Sequence, residues 1–331
     1  MSKRFKVVIT DMLTDPLEYE QEILGDIADV IPLDASNQSE LEGKVEDADA
    51  LMVYHYLVHP RERIESLRNC KAIVRPGVGY DNIDIAAATE RGIPVCNVPD
   101  YGTEEVADSA MGMALTLARG THFLNSRLRR GLGNWNVDQA QPIQRLRSRV
   151  FGIVGCGRIG SAVAVRAKAF GFDVAFFDPY VPDGMDKALG VRRVESFKEL
   201  LTSAHILSFH CPLTDETQNM VTAKEISQMQ HTSFLVNTAR GGVVDTEAVV
   251  DALAHGTIRG AGIDVLETEP PDEESKVIQA WKDRGHPAHD RFILNPHTAF
   301  YCEEGEIEFR TKGSKEVRRA LLGEPLRNRV N

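Results

Sequence analysis

Several classes of protein are excluded by what this chain lacks. No apolar run is long enough to cross a bilayer. The opening segment Lys3-Arg4-Phe5-Lys6-Val7-Val8-Ile9-Thr10 carries an apolar run too short for a signal-peptide core and reads as a strand. Cysteine is sparse and scattered: Cys70, Cys96, Cys156, Cys211 and Cys302 form no C-x-x-C and show no metal-ligand spacing. A disulfide framework and a metal site are therefore not expected, and reduced thiols in a cytoplasmic setting are. Positive charge is in deficit, with 38 Lys+Arg against 49 Asp+Glu and a net charge of −11. Sequence-independent binding to nucleic acid needs a basic face, so no direct nucleic-acid contact is expected, and no membrane contact either. There is no internal repeat and no low-complexity tract.

What is present is a regular alternation. At 331 residues the chain has room for two domains. Lys6–Thr10, Asp29–Leu33, Ala50–Tyr54, Ala72–Val74 and Val95–Val98 read as short apolar strands separated by amphipathic or polar stretches such as Gln38–Glu46 and Pro60–Leu67. Such alternation implies a parallel sheet with helices on its faces. Thr103–Arg119 reads as a helix buried on most sides, continuing through His122–Arg130 into a polar arm that ends at Arg149. The arginines of that region (Arg127, Arg129, Arg130, Arg145, Arg147, Arg149) suit a solvated face or a subunit contact. The strand rhythm then resumes at Asp173–Phe177, His205–Phe209, Phe234–Val236, Gly262–Val265 and Phe292–Leu294, with a last helix over Glu303–Leu322.

The second half opens on Phe151-Gly152-Ile153-Val154 followed by Gly155-Cys156-Gly157-Arg158-Ile159-Gly160. Strand, glycine turn and helix in that order make a dinucleotide-binding fingerprint. The first glycine allows the tight turn, the second lets a pyrophosphate approach the backbone, and the third lets helix and strand pack closely. Helix-start amides then face the phosphate charge. Asp178 ends the next strand, close to the spacing of an acid that binds ribose hydroxyls. Pro179 and Tyr180 follow it, with no cation for a 2′-phosphate, so NAD(H) is favoured over its phosphorylated form.

Ligands of open α/β sheets bind beyond the carboxyl ends of the strands. Polar or glycine chemistry stands at those ends throughout: Arg75-Pro76-Gly77-Val78-Gly79, the fingerprint, Asp178, His210-Cys211-Pro212, Asn237-Thr238-Ala239-Arg240, Asp264, and Asn295-Pro296-His297. Taken in order, with Asp81-Asn82-Ile83-Asp84, Asn97-Val98-Pro99 and Glu269-Pro270, these motifs resemble the D-isomer-specific 2-hydroxyacid dehydrogenases over nearly the whole chain. Within that family the chain is most similar to the C-terminal-binding-protein branch of NAD-linked corepressors, through Tyr54-His55, Val95-Cys96-Asn97-Val98-Pro99, Arg166-Ala167-Lys168-Ala169-Phe170-Gly171-Phe172 and Phe177-Asp178-Pro179-Tyr180.

The resemblance implies two Rossmann-like or flavodoxin-like α/β domains with parallel sheets and an active site in the cleft between them. Residues 1–98 plus 300–331 would bind substrate, and 99–299 would bind NAD, with a dimerisation arm over about 103–149. Arg240 would fork onto the carboxylate and carbonyl of a small 2-oxo or 2-hydroxy acid. His297 would be the general acid and base, paired with Glu269. Asp264 would bind the nicotinamide amide, with Thr103, Arg158, Ile159, Cys211, Pro212, Thr214, Thr217, Thr238 and Ala239 as further cofactor contacts. Tyr54, His55, Arg75, Gly77, Val78, Gly79 and Phe300 would meet substrate. Phe300 stands where the corepressor branch carries tryptophan, so that branch's preference for a methionine-like acid does not transfer. The sequence ends at Asn331, without the long tail of the animal corepressors, which favours an enzyme over an NAD(H)-responsive dimeric scaffold. Both remain open at this point.

Overall fold

The computed structural model describes residues 4–331, which fall into two compact units: residues 4–102 with Cys302–Asn331, and Thr103–Tyr301. Both divisions lie a few residues beyond the expected boundaries at 98/99 and 299/300. Asp100 and Tyr101 stay with the first unit because Lys312 binds the Asp100 carboxylate at 2.8 Å and Phe309 packs edge-on to Tyr101 at 5.0 Å.

The first unit holds β1 (Phe5–Ile9), β2 (Ala28–Pro32), β3 (Ala50–Met52), β4 (Ile73–Arg75) and β5 (Val95–Asn97). Their order is β2-β1-β3-β4-β5 and every pair is parallel. Strand order reverses between β1 and β3, which opens a crevice at their carboxyl ends. Both faces of this sheet are covered, so strand residues such as Val7, Val8, Leu51, Ile73 and Val95 are fully buried.

The helix Glu303–Leu322 belongs to this unit, starts on the Cys302 thiol, which accepts the Gly305 amide at 3.0 Å, and stops at Gly323 with φ of 73°. Phe309 packs edge-on to Tyr54 at 5.9 Å. Gly313 lets the helix lie against the loop after β4, since a Cβ there would sit 2.9 Å from Pro76. Arg310 grips the fully buried Glu20 carboxylate with two bonds of 2.9 and 2.8 Å, joining the last helix to the helix Glu18–Leu24. Removing the cation strands a buried anion. Arg310→Met should lower the unfolding free energy by roughly 3–5 kcal/mol in urea titrations, and a loss below 1 kcal/mol would show the pair to be dispensable.

The second unit holds β6 (Val150–Val154), β7 (Asp173–Phe177), β8 (Arg192–Arg193), β9 (Ile206–Phe209), β10 (Phe234–Asn237), β11 (Gly260–Ile263) and β12 (Phe292–Leu294). The order is β12-β11-β10-β9-β6-β7-β8, again all parallel, with the reversal between β6 and β9. β8 has no counterpart in the sequence reading, because two arginines on a sheet edge carry no apolar signal.

The helix Thr103–Arg119 packs on the helix Arg158–Ala169 and on β10 and β11. Its expected continuation is broken: Gly120 adopts φ of 67°, and a separate helix runs from Thr121 to Arg129. Asp290 pins that helix by accepting from Ser126 at 2.7 Å and from Arg130. Arg130 is therefore spent inside the unit rather than on a solvated face. Trp135 is 92% exposed on the arm that follows. No helix of the described residues is long and apolar enough to cross a membrane.

His59 and His205 are both buried, which pulls each imidazole down to about 4. Unfolded histidines titrate near 6.5, so these two stabilise the fold above that value and cease to as pH falls toward 4. Stability should therefore decline as pH falls from about 6.5 to about 4, and His59→Leu should flatten that slope in denaturant titrations at stepped pH.

Candidate active site

The glycine turn joins β6 to the helix Arg158–Ala169 at the reversal point of the second unit. Its three glycines answer three different demands. Gly155 has φ of 84°, and a Cβ there would lie 2.7 Å from the Cys211 amide nitrogen, so the loop after β9 can pass close by. Gly160 faces the Gly155 carbonyl, where a Cβ would sit 2.0 Å from the oxygen. A Cβ on Gly157 would meet nothing within 4 Å, so this glycine faces open space at the helix start.

Asp178 closes the turn from the other side. Its carboxylate accepts the amides of Cys156 at 2.8 Å, Tyr180 at 2.8 Å and Val181 at 3.2 Å. Oδ1 takes the Tyr180 and Val181 amides, while Oδ2, which accepts only the Cys156 amide, keeps lone-pair capacity for a ribose hydroxyl. Thr217 closes the loop after β9, accepting from the Thr214 amide at 2.8 Å and donating to the Pro212 carbonyl at 2.6 Å. The Thr238 hydroxyl, at the end of β10, is buried with no hydrogen-bond partner among the described residues. An open helix start, an acid at the ribose position and an orphaned buried hydroxyl suit a bound dinucleotide.

A paired histidine and glutamate stand beyond the ends of β12 and β11. His297 sits in the left-handed region with φ of 52°, and its amide donates to the Asp264 carbonyl at 2.8 Å. The Asp264 side chain, 1% exposed, accepts the amides of Thr298 at 3.0 Å and Ala299 at 3.0 Å. Burial is the main cause that holds its carboxyl above the usual range, against the opposing pull of those amides and of His297. Asp264 thus clamps the turn that carries the histidine, a role its sequence position did not announce.

His297 Nδ1 lies 2.6 Å from Glu269 Oε2, while Glu269 Oε1 accepts the Leu266 amide at 2.7 Å. The ring is oriented by a carboxylate that is itself oriented by backbone. Phe300 stands edge-on to His297 at 6.0 Å. Arg240 starts the turn after β10 and donates to the Ala239 carbonyl at 2.9 Å. Buried Asn237 shapes that turn by donating to the Arg240 carbonyl and accepting the Ala239 amide. Gly241 lets the turn abut the backbone of Leu266 and Glu267, where a Cβ would lie 2.0 Å from the Leu266 carbonyl carbon. The Arg240 turn and the Glu269 loop are consequently neighbours.

In the first unit, His55, Arg75, Gly77, Val78 and Gly79 stand at the carboxyl ends of β3 and β4. The Arg75 guanidinium folds over Gly77, which has no side chain to displace it, and Asn97 ties down the Val78 carbonyl at 2.7 Å. Tyr54 is 1% exposed and packs edge-on to Phe309 in the core of its unit. Asp11 and Asn237 were missed as organising residues. Asp11 would have been found by applying the strand-end reading to β1, where it follows Thr10.

Fold and site together define an α/β protein of two parallel-sheet units, one of them built to hold a dinucleotide. Residues 111–299 match the family described as D-isomer specific 2-hydroxyacid dehydrogenase, NAD binding domain, and the chain belongs to that family. It is 36% identical over 321 residues to D-3-phosphoglycerate dehydrogenase of Methanocaldococcus jannaschii, covering 97% of this chain and 59% of that protein. It is equally 36% identical over 311 residues to C-terminal-binding protein 1 of Caenorhabditis elegans, covering 92% of this chain and 42% of that protein. The chain thus spans less than two thirds of the length of either relative. A D-lactate dehydrogenase from Aquifex aeolicus, solved with NAD and lactic acid, superposes with a TM-score of 0.82 at 28% identity over 96% of both chains.

The glycine geometry makes a paired prediction. Gly157→Ala should leave the melting temperature unchanged yet raise the NADH Kd by about tenfold or more, a loss of roughly 1.4 kcal/mol. Gly155→Ala, strained at its φ and crowded by Cys211, should lower the melting temperature as well. Unchanged NADH titrations for Gly157→Ala would remove the phosphates from that loop.

Proposed function

We propose that this protein is an NAD(H)-dependent D-2-hydroxyacid dehydrogenase, interconverting a small 2-oxo acid and its D-2-hydroxy acid. The observation that carries the reading is the 2.6 Å contact between His297 Nδ1 and Glu269 Oε2, held on a turn that Asp264 clamps. NADH, when bound, supplies the hydride. With Nδ1 turned to the glutamate, Nε2 is the ring atom that gives a proton to the carbonyl oxygen during reduction and takes it back during oxidation. The Glu269 carboxylate fixes the orientation of the ring. Arg240 offers a planar fork for the substrate carboxylate, and Phe300 walls the histidine from one side. The cofactor contacts are assigned to the glycine turn, Asp178, Thr238 and the loop after β9, with Thr103 at the start of its helix.

A second reading, a dimeric scaffold that responds to NAD(H), is favoured by the arm. There Leu132, Trp135 and Val137 are 41%, 92% and 69% exposed, an apolar surface suited to a second copy. Oxidation of NADH followed by absorbance against a panel of 2-oxo acids separates the two. Saturable turnover of one acid is expected, and His297→Ala should reduce it by about a thousandfold with NADH affinity retained. Full activity in that variant would take His297 out of the mechanism. Tight NADH binding with no turnover of any acid would favour the scaffold.

A further inference from the structure

The first unit carries a buried acid that the reaction outlined above does not use. Asp11 follows β1 and is fully buried, yet no Lys or Arg pairs with it among the described residues. Every partner of its side chain is a donor. Oδ1 accepts the Tyr54 amide at 3.0 Å and the Thr10 hydroxyl at 2.6 Å, while Oδ2 accepts the His55 amide at 2.8 Å and the Tyr56 amide at 2.7 Å. Three consecutive amides of the loop after β3 are therefore gathered onto one carboxylate. Burying such a group is costly unless its bonds are made, and here they are charge-assisted and complete.

Two further observations place this carboxylate where ligands bind. β1 and β3 flank the reversal in strand order, so Asp11 lies at the switch-point crevice of its sheet. The next residue, Met12, has φ of 74°, which an unbranched but bulky side chain adopts only when its surroundings impose it. The chain accepts that conformation and the burial of an unpaired acid at the same point. The consequence is alternation in the loop: Tyr54 turns inward beneath Phe309, while His55 and Tyr56 turn to the edge of the unit, their rings edge-on at 5.6 Å and Tyr56 62% exposed.

We propose that Asp11 is a positioning residue for substrate, holding the Tyr54–Tyr56 loop so that His55 is presented to the substrate's carboxylate end. The proposal rests on the dehydrogenase reading and deepens it, assigning His55 to anion recognition and Asp11 to the geometry of that recognition. A carboxylate is required at position 11 because an asparagine of the same shape turns an NH2 group toward at least one of the three amides. An alanine leaves all three without an acceptor.

The test is a double-mutant cycle on Asp11→Asn and His55→Gln, measured with the 2-oxo acid that turns over, together with NADH titration and melting curves. Asp11→Asn is used because Asp11→Ala, which orphans all the donors, is the variant at risk of not folding. In the otherwise native protein Asp11→Asn should lower kcat/KM by about tenfold or more, chiefly through KM, with NADH affinity unchanged. In the His55→Gln background the same change should cost less than about twofold, since its route to substrate is already cut. Equal losses in both backgrounds, or native KM in a folded Asp11→Asn protein, overturn the proposal.

If the native protein turns over no acid, the dehydrogenase reading fails separately, and the loop geometry is read from the His55 ring signal in NMR spectra, assigned with His55→Gln. Displacement of that signal in Asp11→Asn is then the expected result. A signal that stays in place overturns the claim that Asp11 sets the position of His55.

Discussion

Everything functional here depends on one constraint, that all strands of each sheet run the same way. A parallel sheet buries both faces and sends every carboxyl end to one edge. Polar side chains excluded from the strands can stand at that edge, and the reversal of strand order opens a crevice among them. The second unit puts its glycine turn at the reversal between β6 and β9, with Asp264, Arg240 and His297 on the neighbouring strand ends. The first unit puts Asp11 at its own reversal.

The strand ends are held by buried acceptors rather than by ion pairs. Asp264 and Asp11 each collect consecutive backbone amides of a loop carrying a histidine, whereas Asn237 holds the Arg240 turn by accepting one amide and donating to one carbonyl. A carboxylate suits this work because both oxygens accept and neither competes as a donor. Glu20 differs, since its charge is met by a bidentate arginine and its product is the attachment of the last helix. Loops fixed this way keep their histidine rings within a narrow range of positions, which the proposed proton transfer requires.

The proposed dehydrogenase and the proposed scaffold draw on different features of one architecture. The paired His297 and Glu269 argue for chemistry, whereas the exposed tryptophan of the arm argues for a self-associating surface. The two proposals are compatible on one chain.

The strands, the last helix and the glycine turn were legible in the sequence because their signals are local. Apolar runs of strand length mark buried strands, and a glycine between strand and helix marks the turn. The order of the motifs along the chain was enough to name the family. Tertiary structure alone decided the rest. Gly120 breaks a helix whose apolar pattern runs on past it, and β8 exists only because β7 offers an edge to two arginines. Tyr54 is core because a helix some 250 residues later covers it. Asp264 reaches amides more than thirty residues away, and Asp11 amides more than forty away. A hydrogen-bond acceptor looks the same in sequence whatever it will accept, so its partners are chosen only when folding brings distant backbone within reach.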